Sequence, residues 1–146
     1  MNIFKILSSY DGSIKEPNIS SFLAYLLDLN EDHGLSDLLL KSLIHDFKNQ
    51  NSNYFAKINN DLTQFDVRIN PEYSVFVGNK RRDIDIVVEI YSENKEEPLY
   101  ALCIENKITD NSIQKKDSQL KEEFEGLNKE YKKTDGARKY IFVFLL

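Results

Sequence analysis

The chain has 146 residues, 24 acidic and 19 basic, for a formal charge of −5; it holds one cysteine and no tryptophan. At 41% hydrophobic and 29% charged it is too apolar for a disordered tail, and its acidic balance argues against a histone-like or architectural DNA binder. One cysteine excludes an internal disulfide framework, and no run approaches the roughly 18 to 20 apolar residues of a membrane span, so one compact domain in a reducing, cytoplasmic setting is expected.

Residues 1 to about 50 read as helical. The opening Met1–Gly12 is too short and too interrupted for a signal peptide. Pro17 to Ser21 supplies helix-start residues, and Phe22, Leu23, Leu26 and Leu27 fall at the spacing of one apolar helix face. Asp28 to Gly34 is a loop by composition. A second helix is expected behind Ser36 as N-cap, with Leu38, Leu39, Leu43, Ile44 and Phe47 turned inward. Asn49 to Gln64 is mixed and carries no assignment. From Phe65 the pattern changes to β: Val67, Ile69 and Tyr73 to Val77 form one arm, with Pro71 at a bend or edge. Gly78-Asn79-Lys80 is a turn signal, and Asp83 to Ile90 is the strongest strand. After a charged connector, Leu99 to Ile108 makes a third strand, Thr109 to about Lys133 a helix, and Lys139 to Leu146 a fourth strand. A natural chain rarely stops inside an apolar run such as Tyr140 to Leu146, which leaves C-terminal truncation as an open alternative.

Side chains alternate along a strand, so Asp83, Asp85, Val87 and Glu89 are expected on one face and Ile84, Ile86, Val88 and Ile90 on the other. On the next strand Cys103, Glu105 and Lys107 share a face, and Leu102, Ile104 and Asn106 the opposite one. Charges at the end of so apolar a run are costly to bury unless paired or metal-bound. Asp85 and Glu105 are the oxygen donors that a hard divalent cation takes, with the backbone carbonyl of Asn106 as a third. Such a cation polarises a phosphate and lowers the pKa of a bound water; Lys107 is then placed to position that water and to offset developing charge. An isolated E-x-K is more often an ion pair on a half-exposed strand. The apolar approach, the acidic strand upstream and the helix downstream favour the metal site here.

Four blocks then carry a resemblance: Phe22 to Asn30 with His33-Gly34-Leu35; Arg82-Asp83-Ile84-Asp85-Ile86; Cys103-Ile104-Glu105-Asn106-Lys107-Ile108; and Ser118-Gln119-Leu120. Together they resemble the PD-(D/E)XK nuclease superfamily, in the branch with an R-x-D-I … I-E-N-K-I … Q-L pattern. The resemblance implies an α/β, restriction-endonuclease-like αβββαβ core, a mixed central sheet flanked by helices. It implies a single domain over 1–146, helical to about 50 and catalytic from about 65. Asp85 rather than Asp83 becomes the strand ligand, Glu105 the second ligand, and Lys107 the catalytic lysine. Gln119 matches the glutamine of the following helix, which lies near the active site or DNA, and Glu16 is a candidate helical acid for the metal. The expected activity is Mg²⁺- or Mn²⁺-dependent hydrolysis of DNA, in a prokaryotic nuclease. The usual Gly before the Arg is replaced by Arg81, a departure that bears on turn geometry more than on chemistry.

Lys80, Arg81 and Arg82 precede the acidic strand, and Lys115 and Lys116 follow Lys107, so both groups are candidates for phosphate contacts or for a solvated surface. Two histidines and one cysteine do not make a structural zinc site, and His33 reads as a loop-fixing residue. No phosphate-binding glycine loop or serine-nucleophile elbow is present. The alternatives are a catalytically inactive copy of the nuclease fold that binds nucleic acid or protein, and an acidic protein-interaction module. A homodimer would let one site per chain cut both strands.

Overall fold

The computed structural model describes residues 15–59, 61–106, 116–131 and 139–145. In chain order they form α1 (Glu16–Leu27), α2 (Leu38–Gln50), a 3-10 turn (Leu62–Gln64), β1 (Phe65–Val77), β2 (Lys80–Ser92), β3 (Tyr100–Asn106), α3 (Lys116–Tyr131) and β4 (Lys139–Leu145). The sheet runs β1-β2-β3-β4; the first three strands are antiparallel neighbours, and β4 lies parallel to β3. The expected α/β architecture with a mixed sheet is therefore the one observed.

Two apolar layers cover the sheet. On one side Ile86, Val88 and Ile90 of β2, with Tyr100, Leu102 and Ile104 of β3, pack with Ala24 and Leu27 of α1 and Leu40 and Ile44 of α2. On the other, Val75, Ile84, Val87, Ala101 and Cys103 pack with Leu127 of α3. Strands buried on both faces explain why β3 reads as a continuous apolar run rather than an alternating one.

Strict alternation fails at one place. Ile84 belongs to the α3-facing layer, although the periodicity groups it with Ile86, which faces α1 and α2. The partner strand switches at the same level: Val67 and Ile69 lie on the first side, Tyr73 and Val75 on the second. Pro71 pairs with Ile86 and Tyr73 with Ile84, and between them Glu72 takes a left-handed φ of 52°. Both strands of the hairpin thus turn over together around Glu72 and Asp85.

The second helix also departs from expectation. Its N-cap is Asp37, because Ser36 adopts a φ of 51°. Leu38 is 64% exposed rather than inward, and Leu40 and Ile44 are its fully buried residues. The register of that stripe places Leu38 some 200° round the helix from Leu40. Phe55, Ile58 and Leu62, in the stretch that composition leaves unassigned, are each at most 1% exposed and complete the first layer. His33 bridges the Asp28 carbonyl at 2.9 Å and accepts the Leu35 N–H at Nδ1, so its Nε2 carries the proton and the ring fixes the loop. No described helix is long and apolar enough to cross a membrane.

Candidate active site

The inversion of the β1–β2 hairpin releases Asp85 from the regular ladder. The last paired residues of β2 and β3 are Ile86 and Ile104, so one further step sets Asp85 level with Glu105. There the Asp85 Oδ2 accepts the main-chain N–H of Asn106 at 2.7 Å. A charge-assisted bond of this kind ties the acidic strand to the Glu105–Asn106 peptide and fixes where the carboxylate sits. Asp85 is half-buried and lines a cleft of about 220 Å³ with Pro17, Ser20 and Ser21 of α1 and with Glu72 and Asp83 of the hairpin. Glu16 starts α1 beside this cleft.

Glu105 is 1% exposed at the end of β3. By alternation it follows Cys103, on the side covered by α3. That side holds further carboxylates. The burial of Cys103, and then the charges of Glu89, Glu105 and Glu123, push its thiol well above the usual range. Glu89 accepts from Asn70 Nδ2 at 3.1 Å. Glu123, fully buried on α3, accepts from Gln119 Nε2 at 2.7 Å. Gln119 is therefore on the sheet-facing stripe of α3, one turn before Glu123 and two before Leu127. Sequence reasoning missed Glu123, because an acid in a charged helix reads as a solvent-facing residue; its place four residues after Gln119 was the available signal.

Asp83, the rival of Asp85, is exposed and engaged elsewhere. Its Oδ1 accepts from Ser74 Oγ at 2.6 Å and from Arg81 Nε at 2.8 Å, and these two bonds hold its carboxyl below the usual value. The other basic residues of the cluster meet α3: Lys80 Nζ and Arg82 Nε reach the two carboxylate oxygens of Glu122 at 2.9 and 2.5 Å. Lys107 and Lys115 lie outside the described residues, and Lys116 begins α3.

Glu122 makes this clamp pH-dependent. The bonds from Lys80 and then Arg82 hold its carboxyl below the ordinary value of 4.5. A lowered carboxyl contributes stability above its unfolded value and loses it as pH falls through the folded one. The thermal-stability difference between wild type and Glu122→Gln is thus expected to be measurable at about pH 7 and to shrink progressively as the pH falls below 4.5, in melts read by circular dichroism.

The donor set suits a hard cation. Mg²⁺ and Mn²⁺ favour oxygen ligands, and Mg²⁺ commonly takes only one or two protein carboxylates, keeping waters and substrate phosphate for the rest. Asp85, Glu105 and the Asn106 carbonyl are oxygen donors of that kind, and among the described residues no group of three or more His, Cys, Asp or Glu that could hold a metal ion lies together. The same positions hold one unusual polar group. Asn106 is 7% exposed, and its Nδ2 has no hydrogen-bond partner among the described residues, an arrangement that costs about 1 to 3 kcal/mol.

A family model for the PD-(D/E)XK nuclease superfamily matches residues 1–146. Neither a curated protein nor a solved structure matches the chain significantly.

Proposed function

Because the chain belongs to the PD-(D/E)XK nuclease superfamily, we propose that it hydrolyses DNA phosphodiester bonds with a divalent cation, Mg²⁺ or Mn²⁺, held by Asp85, Glu105 and the Asn106 carbonyl. The observation that supports this most is the 2.7 Å bond from the Asn106 N–H to Asp85, which joins the acidic strand to the Glu105-Asn106-Lys107 segment. When bound, the cation supplies Lewis-acid polarisation of the phosphate and acidifies a coordinated water.

The chain's own residues supply the rest. Lys107, next but one to Glu105, orients the attacking water and offsets charge that develops on the phosphoryl oxygens. Gln119, oriented by its bond to buried Glu123, supports the site from α3. Glu16 approaches from the start of α1 as a further acid. Lys80, Arg81, Arg82, Lys115 and Lys116 are the groups that would meet backbone phosphates. Lys80, Arg81 and Arg82 already pair with Glu122 and Asp83, so DNA must compete with internal ion pairs for them.

Those pairs also favour a second reading, a catalytically inactive nuclease-fold module that engages nucleic acid or protein weakly. Cleavage decides between them. Supercoiled plasmid, single-stranded DNA and RNA incubated with the protein in Mg²⁺ or Mn²⁺ should show that DNA is cut and that EDTA abolishes cutting. A folded protein that binds Mn²⁺ and cuts none of the three would support the inactive module. Gel filtration during the same assay tests whether the active species is a homodimer.

A further inference from the structure

The tip of the β1–β2 hairpin has two unlike faces. Directly paired residues share a face of the ladder, so Val75 and Arg82 lie on one side and Phe76 and Arg81 on the other. The first side is covered: Val75 packs with Leu127 of α3, and Arg82 reaches Glu122. The second side is open among the described residues. Phe76 is 56% exposed, and Arg81 and Asp83 are exposed beside it. Asp83 also borders the cleft at Asp85, so the open face runs from the tip toward that cleft.

A single exposed apolar residue needs no explanation on its own. The cation paired with it sets Phe76 apart. Lys80 and Arg82 are both drawn to Glu122, whereas Arg81 meets Asp83 through Nε alone. Its two terminal nitrogens make no hydrogen bond among the described residues, and a guanidinium presented this way matches a phosphate. The Cβ atoms of directly paired residues lie roughly 5 Å apart, so ring and guanidinium are offered together. An exposed ring on a sheet surface stacks on a base, and only an unpaired base has a face to offer it. Arg81 precedes Asp85 by four residues on β2, roughly 13 Å at the strand rise, or about four stacked nucleotides.

We infer that Phe76 and Arg81 bind an unpaired stretch of DNA, the ring stacking on a base and the guanidinium holding the adjoining phosphate, and that the favoured substrate carries single-stranded DNA beside the scissile bond. The inference rests on the nuclease reading and adds to it a substrate class. Every base has a π-face, so this contact selects the state of the strand and not its sequence.

The test compares wild type, Phe76→Thr, Phe76→Tyr and Arg81→Gln. Affinity is measured by anisotropy in Ca²⁺ for a fluorescent single-stranded oligodeoxynucleotide and for a blunt duplex of the same sequence. Thermal stability is measured without ligand, and wild-type cleavage of DNA in Mg²⁺ is scored separately. Threonine keeps the strand propensity of position 76 and removes the ring. Wild type should bind the single strand more tightly than the duplex. Phe76→Thr should weaken single-strand binding about tenfold and leave duplex binding unchanged, while Phe76→Tyr binds like wild type. Arg81→Gln should weaken it as well, and lower the slope of log affinity against log salt by about 0.7, the share of one phosphate contact. Wild type that cleaves DNA while Phe76→Thr binds the single strand equally well would overturn the inference and leave the nuclease reading standing. Equal weakening on single strand and duplex would overturn the assignment to unpaired bases. Wild type that neither binds nor cleaves nucleic acid would overturn both readings. A Phe76→Thr protein that fails to fold while Phe76→Tyr folds would assign the ring to packing and overturn the inference.

Discussion

Glu105→Gln is expected to leave the metal-free protein folded while removing its Mn²⁺ response and its cleavage. Glu105 is 1% exposed, and glutamine matches glutamate in volume, so the packing at the end of β3 is kept. The same change removes one of two protein carboxylates from the proposed cation site. Even outer partners of metal sites change affinity by about 10- to 100-fold, and a direct ligand should act at least at the upper end of that scale. Mn²⁺ at about 100 times its Kd should stabilise wild type by about 2.7 kcal/mol and the variant by almost nothing. Lys107→Ala separates binding from chemistry. It should keep the Mn²⁺ response and lose on the order of 10³-fold in kcat, within the range for a group that orients or transfers a proton. A Glu105→Gln variant that melts much lower and still binds Mn²⁺ would make Glu105 a structural residue and move the cation elsewhere.

The second large effect is at Gly126. A Cβ placed there would lie 2.7 Å from Val75 Cγ2 and 2.8 Å from Val75 Cβ, and Val75 is fully buried. In an open helix, replacing Gly with Ala would gain about 1 kcal/mol. Here the gain is outweighed, because a β-branched strand residue has a stiff χ1 and its backbone is fixed by the ladder to β2, so α3 must lift from the sheet. Gly126→Ala should cost about 1 to 2 kcal/mol net, and Gly126→Val about 3 kcal/mol or more. At this chain length each kcal/mol corresponds to about 2 to 4 °C in melting temperature. Adding Val75→Ala to Gly126→Ala should recover part of the loss, a non-additivity that independent sites would not show. Because Gln119 and Glu123 ride on the same helix, the glycine also sets how closely they approach the Glu105 side of the sheet.

The order of elements and the hairpin were legible because their signals are local. Gly78 takes a φ of 62° at the turn, and the β-rich runs on either side pair in the register that this turn dictates. Asp85, Glu105 and Asn106 were legible as well, since polar residues ending an apolar strand stand out against burial cost. The inversion near Glu72 was not. Left-handed backbone is usually announced by Gly or Asn, and a glutamate between Pro71 and Tyr73 gives no such notice. Leu38 and Leu40 were confused because three consecutive leucines fit several helix faces, and only contacts with Ile58 and Leu62 select one. Those contacts come from a segment without regular periodicity. Glu123 was hidden for a related reason, as α3 is strongly charged and its buried acid is identified only by the sheet beneath it.

The turnover at Pro71 and Glu72 also bears on self-association. β1 has β2 as its one neighbour among the described strands, so its outer side could template another chain, and at thirteen residues it is long for an exposed edge. Pro71 has no N–H to offer, and the left-handed Glu72 redirects the amides that follow. The edge is thereby divided into Phe65–Asn70 and Tyr73–Val77, whose outward hydrogen-bonding groups no longer form one continuous row. Asp66 and Arg68 place opposite charges on the first of these segments. An incoming strand can align with one piece or the other but not with both. The irregularity that opens the cleft at Asp85 thus guards the same sheet against edge-to-edge aggregation.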